Sequence, residues 1–323
     1  GAGMAVTIGI RNALLGAEAG DALTDADDNT AVGALALSTD TLGSTSTAIG
    51  RGALKTQNFT SATNTYNTAV GHSAGEFMTT GVQNTLIGGL AGDNLNTSSA
   101  NTVVGYQALS AEDSHGYNTA IGHSALAVQN AGADGHNVAL GYDSGSATTT
   151  GVYNTFLGAG SGAFCTTAHY NTFVGKSAGQ GITGVKLTGD ANTAVGRNAG
   201  LLLQGGATTN TFMGSSAGAG ATTGTYNTAI GSDTLLATCT GTYNTAVGYG
   251  TLQVITDGAS NTCVGDRSGF ALTSGDNNLF LGKDAGRTGS PGGNFVAQDN
   301  RIVLGDDNIT NAYINVAWTE DSD

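Results

Sequence analysis

The sequence predicts an all-β fold, a parallel β-solenoid (β-roll) of about fifteen short coils. Three observations predict it: a short unit that returns along most of the chain, a nearly constant step between its copies, and apolar residues at fixed positions in every copy. A short, constant period is typical of solenoids, in which each repeat forms one coil that stacks on the next.

The repeating unit is clearest at residues 67–75, which read Asn-Thr-Ala-Val-Gly-His-Ser-Ala-Gly. We number coil positions from the Asn, so that Thr is position 2, the small or apolar residue position 3, the branched apolar residue position 4 and Gly position 5. The step between most copies is 17 residues, which is therefore the length of one coil. The exceptions are steps of 21, 19, 21 and 18 residues, which add residues between these cores. The copies begin at Asn29, Ser46, Asn67, Asn84, Asn101, Asn118, Asn137, Asn154, Asn171, Asn192, Asn210, Asn227, Asn244, Asn261 and Asn278.

The composition of the chain disfavours some classes of binding partner. The 323 residues include 53 Gly and 1 Pro, and the formal charge is −14. An acidic chain disfavours nucleic acid and anionic membranes as partners, because both select basic surfaces. No apolar run approaches the ~18 residues of a membrane-spanning helix, so no membrane insertion is predicted. The three cysteines lack metal-ligand spacing, and Cys263 at position 3 is predicted to be a small core residue.

The chain divides into three predicted parts. Residues 1–28 are an N-terminal capping segment, in which residues 6–9 echo the core and Leu14 and Leu15 resume the apolar pattern. Residues 29–292 are the solenoid body. Residues 293–323 are a C-terminal capping segment, in which residues 301–305 resemble a final core and residues 312–318 alternate like a strand.

The predicted strand is apolar on both faces. Side chains alternate along a strand, so positions 2 and 4 share one face and position 3 points to the other. A coil this short has only one interior, and we therefore expect another copy of the chain to cover the second face, with a homotrimer as the symmetrical solution. Four large side chains at position 3 are expected to lie where the chains meet: Phe156, Phe173, Phe212 and Phe280.

Two further positions predict backbone features. Gly at position 5 suits a positive φ or a close approach of backbones. The Asn residues at position 1 are expected to stack as a ladder of amides along the solenoid axis, with a rise of about 4.8 Å per coil.

No catalytic, cofactor-binding or metal-binding residues are predicted, and the chain is not expected to be an enzyme. A glycosidase needs two carboxylates at a fixed separation, whereas Asp143, Asp233 and Asp284 belong to distant coils and are interpreted as solvated surface. The five histidines share no metal-ligand spacing. They are His72, His115, His123, His136 and His169.

Two rows of side chains, one of Tyr and one of Thr, can each be interpreted in more than one way. Tyr precedes several cores, and the rings either form a spine between coils or present an aromatic strip to a sugar. These residues are Tyr66, Tyr117, Tyr153, Tyr170, Tyr226 and Tyr243. Regular Thr arrays on flat solenoids can bind ice, but the Thr at position 2 is expected to point inward or sideways with position 4.

The repeat resembles those of trimeric autotransporter adhesin heads, and residues 243–252, Tyr-Asn-Thr-Ala-Val-Gly-Tyr-Gly-Thr-Leu, resemble bacteriophage tail fibre shafts. Residues 300–323 are similar to the junction that precedes the endosialidase-type intramolecular chaperone of phage fibres. This resemblance implies a chaperone that trimerises the fibre and then cuts itself off near a Ser-Asp pair, here Ser322 and Asp323. A matured fibre or a trimmed version of the fibre chain would each end at this pair, and in both cases the chaperone is missing.

We therefore expect a structural shaft of a phage tail fibre, a homotrimer in the virion and extracellular, with other virion tail proteins as partners and a host surface glycan as a candidate ligand. The alternatives are the head of a bacterial trimeric autotransporter adhesin and, more distantly, a capsule-degrading tailspike. Long segments between cores are expected to carry any receptor site, because solenoid insertions form loops. They are residues 55–65, 127–136 and 180–191.

Overall fold

A computed structural model describes residues 1–311 of the 323. It confirms a parallel β-solenoid, in which 17 three-residue strands stack in one sheet. With a rise of about 4.8 Å per strand, the sheet is roughly 80 Å long. No helix occurs among residues 1–311, and consequently none that is long and apolar enough to cross a membrane.

Each coil contributes one strand to the main sheet, at positions 2–4, and every strand pairs in register with the corresponding positions of its neighbours. These strands are Ala13–Leu15, Thr30–Val32, Thr47–Ile49, Thr68–Val70, Thr85–Ile87, Thr102–Val104, Thr119–Ile121, Val138–Leu140, Thr155–Leu157, Thr172–Val174, Thr193–Val195, Thr211–Met213, Thr228–Ile230, Thr245–Val247, Thr262–Val264, Leu279–Leu281 and Ile302–Leu304. Two further strands, Gly43–Ser44 and Thr63–Asn64, pair with each other in a small second sheet. Elsewhere the segment that completes each coil, which we call the return segment, is mostly irregular.

Position 5 requires glycine for two reasons, a positive φ and the close approach of the backbone in the next coil. Gly71 has φ 143°, in a region that side chains disfavour, and a Cβ built on it would lie 2.3 Å from the carbonyl oxygen of Gly88 in the next coil. The predicted corner is thereby confirmed, and the lack of a side chain lets successive corners stack at the strand spacing.

Position 3 forms the interior of each coil, which corrects the expectation that its Phe residues lie between chains. The side chains of Phe156, Phe173, Phe212 and Phe280 are fully buried within one chain. Phe156 and Phe173 stack with ring centroids 5.7 Å apart. The other wall of this core comes from the return segment, for example from Met78. Small Ala residues at position 3 of many coils leave room for these apolar side chains.

Positions 2 and 4 form the outer face of the sheet, so the expectation that Thr points inward is wrong as well. In every strand of the main sheet after the first, position 3 is buried between two more accessible neighbours, as in Thr85, Leu86 and Ile87. The prediction that positions 3 and 4 point to opposite sides of the strand is confirmed, but the predicted inner and outer sides are exchanged.

The Asn ladder at position 1 joins coils through side chain and backbone together. Asn154 is fully buried, and its Nδ2 donates a hydrogen bond of 2.8 Å to the carbonyl oxygen of Ala168. This bond joins the two ends of one coil. Its Oδ1 accepts a hydrogen bond of 2.9 Å from the backbone N–H of Asn171 in the next coil. Because the amide satisfies buried backbone groups in two directions, Asn is the residue type that suits this position.

The ends of the described chain continue the coil. The first strand lies at Ala13–Leu15, after Asn12, and not at residues 6–9, which echo the core only in sequence. At the other end, Phe295 packs on Phe280 with ring centroids 5.4 Å apart, and the predicted final core forms the strand Ile302–Leu304. The predicted strand at residues 312–318 lies outside the described residues.

The three cysteines are buried within the coils. Burial raises the pKa of Cys165 and Cys263 to about 12 and that of Cys239 to about 11. A thiol with such a pKa stays protonated at neutral pH, so these residues act as small apolar side chains and not as nucleophiles.

Candidate functional surfaces

The outer face of the sheet is a continuous uncharged stripe. Positions 2 and 4 carry Thr and branched or unbranched apolar residues along all 17 strands, and none of these side chains is charged although the chain has a formal charge of −14. Several apolar members are well exposed, such as Leu140 at 48% and Met213 at 43%. A monomer rarely leaves a contiguous apolar stripe of this length open to water.

Aromatic rings line part of one border of this stripe, at the position before the Asn in some of the coils. Tyr117, His136, Tyr153 and Tyr170 stack face to face with centroids 5.0 to 5.2 Å apart. The predicted spine between coils is therefore present, although its members are about half exposed. Because each ring covers the face of the next, the inner rings offer only edges and polar tips, and stacking of a sugar on them is restricted.

Two of the three predicted insertions are anchored by buried acidic residues. Position 12 points into the core, and in most coils it holds an apolar residue such as Met78. In two coils it holds a buried acid instead, Asp40 or Glu112, and an insertion follows in the next coil. Asp40 Oδ1 accepts from the backbone N–H of Gly43 and of Phe59, both at 3.0 Å. Asp40 Oδ2 accepts from Gln57 at 2.6 Å. The Asp40 carboxylate thus holds the first insertion, residues 55–65, at Gln57 and Phe59.

Glu112 repeats this arrangement. Its two carboxylate oxygens accept from the backbone N–H groups of His115 at 3.1 Å and Ala131 at 3.2 Å, and Ala131 belongs to the second insertion. Burial raises the pKa of Glu112, and these N–H groups oppose the rise. Asp113 and His115 bring their ligand atoms close to it, but hydrogen bonds to the backbone already occupy the Glu112 oxygens. We interpret the group as a loop anchor.

Between the two anchored insertions the outer surface of the return segment forms an open groove of about 540 Å³. It follows positions 11 and 13 over five successive coils, from Thr56 to Asn130. Its lining is mainly hydroxyl and amide side chains with one aromatic ring, that of Phe77, which is 49% exposed. The strands lie across the core from the return segment, so the groove and the uncharged stripe lie on different sides of the solenoid.

The other sequence candidates have structural explanations. Asp143, Asp233 and Asp284 sit at position 7 with φ values of 52°, 55° and 53°, a left-handed turn conformation that Asp tolerates. His123 lies between Tyr106 and Tyr142, and His136 belongs to the stacked row above.

The buried acids were missed by sequence reasoning, although a signal for them exists. Each acid is followed one coil later by Gln at the same position, Asp40 by Gln57 and Glu112 by Gln129. Two successive polar residues at a position that is apolar in most other coils indicate a local polar cluster inside the coil. The insertions were predicted, but the groove between them was not.

No protein-family model matches this chain, and no curated protein matches it either.

Proposed function

We propose that this chain is the structural, non-enzymatic shaft of a bacteriophage tail fibre. In this proposal three copies assemble around one axis, the fibre is an extracellular part of the virion, and its partners are other tail proteins. Its task is to hold an attachment surface at a distance from the particle and to contact the host. The resemblance of the repeats and of residues 300–323 to phage fibres supports the viral assignment.

The uncharged outer stripe is the observation that carries the assembly. At about 4.8 Å per strand it is roughly 80 Å long, and two outward positions with their side chains cover about 10 Å of width. The resulting area of roughly 800 Å² per chain equals what one partner buries in a stable protein interface, and in a trimer it is divided between two neighbours. A further copy of the chain is the suitable cover, because it offers an uncharged stripe of the same length and period.

The borders of the stripe favour a closed ring of copies. Position 17 lies at one border and position 6 at the other, so in a three-fold arrangement position 17 of one chain would meet position 6 of the next. Several coils combine a large residue at one border with a small one at the other, as in Tyr153 with Ala159 and Ala100 with Tyr106. Such pairs supply complementary shapes at these levels of the seam between chains.

Ice binding is a second candidate, because the Thr residues at position 2 do face outward. Thr hydroxyls and apolar methyl groups alternate across a regular sheet, as in Thr68 and Val70, and repeat with the strand spacing. Both functions would use the same face, so they exclude each other: a chain that stays monomeric with this face open would favour ice binding.

Immunolabelling of virions tests the proposed shaft. An antibody raised against the purified chain and detected by negative-stain electron microscopy should decorate the fibres of phage particles from a lysate that contains the gene. Particles without label, together with label on the surface of uninfected bacteria, would contradict the proposal and favour the adhesin.

A further inference from the structure

We propose that the groove between the first two insertions is a binding site for a neutral oligosaccharide. The inference deepens the proposed function, on which it rests for the idea that the fibre contacts a cell surface, and it assigns that contact a place and a class of ligand. We refer to this groove, lined along positions 11 and 13 from Thr56 to Asn130, as the inter-insertion groove.

The inter-insertion groove has defined ends and a suitable length. Thr56 and Asn130 lie four coils apart, which corresponds to about 19 Å along the axis and accommodates several sugar units. One end is bordered by the insertion after Asn58 and the other by the insertion after Asn130. Because Asp40 and Glu112 hold Phe59 and Ala131, which lie within these insertions, through backbone N–H groups, the ends of the groove are preorganised.

The floor of the groove presents fixed polar groups. The Oγ1 of Thr79 donates to the Oδ1 of Asn96 at 2.5 Å, which orients that amide, and within residues 1–311 the Asn96 Nδ2 has no protein acceptor. The Nδ2 of Asn94 donates to the carbonyl oxygen of Ser110 at 2.6 Å, which leaves its Oδ1 as an acceptor. Oriented donors and acceptors of this kind match the hydroxyl groups of a sugar.

An aromatic face completes the chemistry of the groove. Phe77 has Thr56 and Asn94 as its neighbours at position 11 in the adjacent coils, so its ring is not covered by another ring as the stacked tyrosines are. An exposed ring suits the apolar face of a sugar, while the surrounding amides suit its hydroxyl edge.

The charge of the groove selects against anionic ligands. Asp113 is the charged residue of its lining, and the lining contains no Lys or Arg to pair with a carboxylate or phosphate. Sialylated glycans, uronate-containing glycans and phosphorylated ligands would meet a carboxylate of the same sign. A neutral oligosaccharide fits both the polar floor and the acidic border.

A glycan array with neutral, sialylated and uronate-containing oligosaccharides, probed with the purified full chain, tests the inference. We expect binding to neutral oligosaccharides, and the double variant Phe77→Ala/Asn96→Ala should weaken that binding at least tenfold, because it removes the ring and an oriented amide. The matched control is Phe164→Ala/Thr256→Ala, which changes positions 11 and 13 in coils outside the groove and should leave affinity unchanged.

Three outcomes would overturn the inference: no neutral oligosaccharide binds, anionic oligosaccharides bind better than neutral ones, or the two double variants lose affinity equally. Circular dichroism confirms that each variant is folded, which is expected because both pairs lie on the coil surface. The outcome is separable from the proposed function. Labelled virions without glycan binding would reject only the groove, whereas glycan binding without labelled virions would reject only the tail fibre.

Discussion

Phe173→Asp should unfold the coils around it and lower the melting temperature of the chain more than any surface substitution. The side chain is fully buried and stacked on Phe156, so the change removes a large apolar group and places a carboxylate where nothing pairs with it. Loss of a buried Phe alone costs about 3–5 kcal/mol, and burial of an unpaired charge adds to this. Solenoid coils depend on their neighbours, so the damage should spread to adjacent coils.

Thermal melting followed by circular dichroism measures this effect, and hydrogen exchange should show lost protection in residues 154–195. Phe173→Leu is the control, because it keeps an apolar side chain and should cost far less. Unchanged melting of the Asp variant would show that position 3 does not lie inside the coil.

Val174→Asp should have the opposite consequence, an intact coil that no longer assembles. Val174 is the next residue in the same strand, but it points to the outer face and is only partly buried in one chain. In a trimer around this face it would bring three carboxylates close to the axis, where desolvation and repulsion of like charges both oppose assembly. In a separate chain the same carboxylate would remain in water.

Light scattering during gel filtration should find the Val174→Asp chain as a monomer with an unchanged circular dichroism spectrum. Thr256→Ala, on the return segment, serves as the control that should assemble normally. If Val174→Asp still formed the native oligomer with the native melting temperature, the outer face would not be the contact between chains.

The periodicity of the sequence was sufficient for the fold but not for the orientation of the strand. Alternation shows that positions 3 and 4 point to opposite sides, yet both are apolar, so alternation alone cannot say which side is inside. The variation in side-chain size at position 3 does indicate which side is inside. Position 3 varies between Ala and Phe, as at Ala139 and Phe156, which is typical of an interior where neighbouring side chains share a fixed volume.

The candidate groove was only partly predictable. The unequal steps revealed the insertions, because a constant period makes each added residue visible. The groove itself depends on which way positions 11 and 13 point within an irregular segment, and no alternating pattern encodes that direction. The anchoring role of Asp40 and Glu112 depends on backbone N–H groups that come from another coil, such as that of Ala131.

The central claim is that three chains bury the outer stripe of the sheet. The mass of the purified native protein, measured by light scattering in dilute neutral buffer, tests it most directly. We expect about three times the chain mass of 31.8 kDa, maintained on dilution. A folded, stable species at 31.8 kDa would contradict the claim, because the stripe would then be open to water.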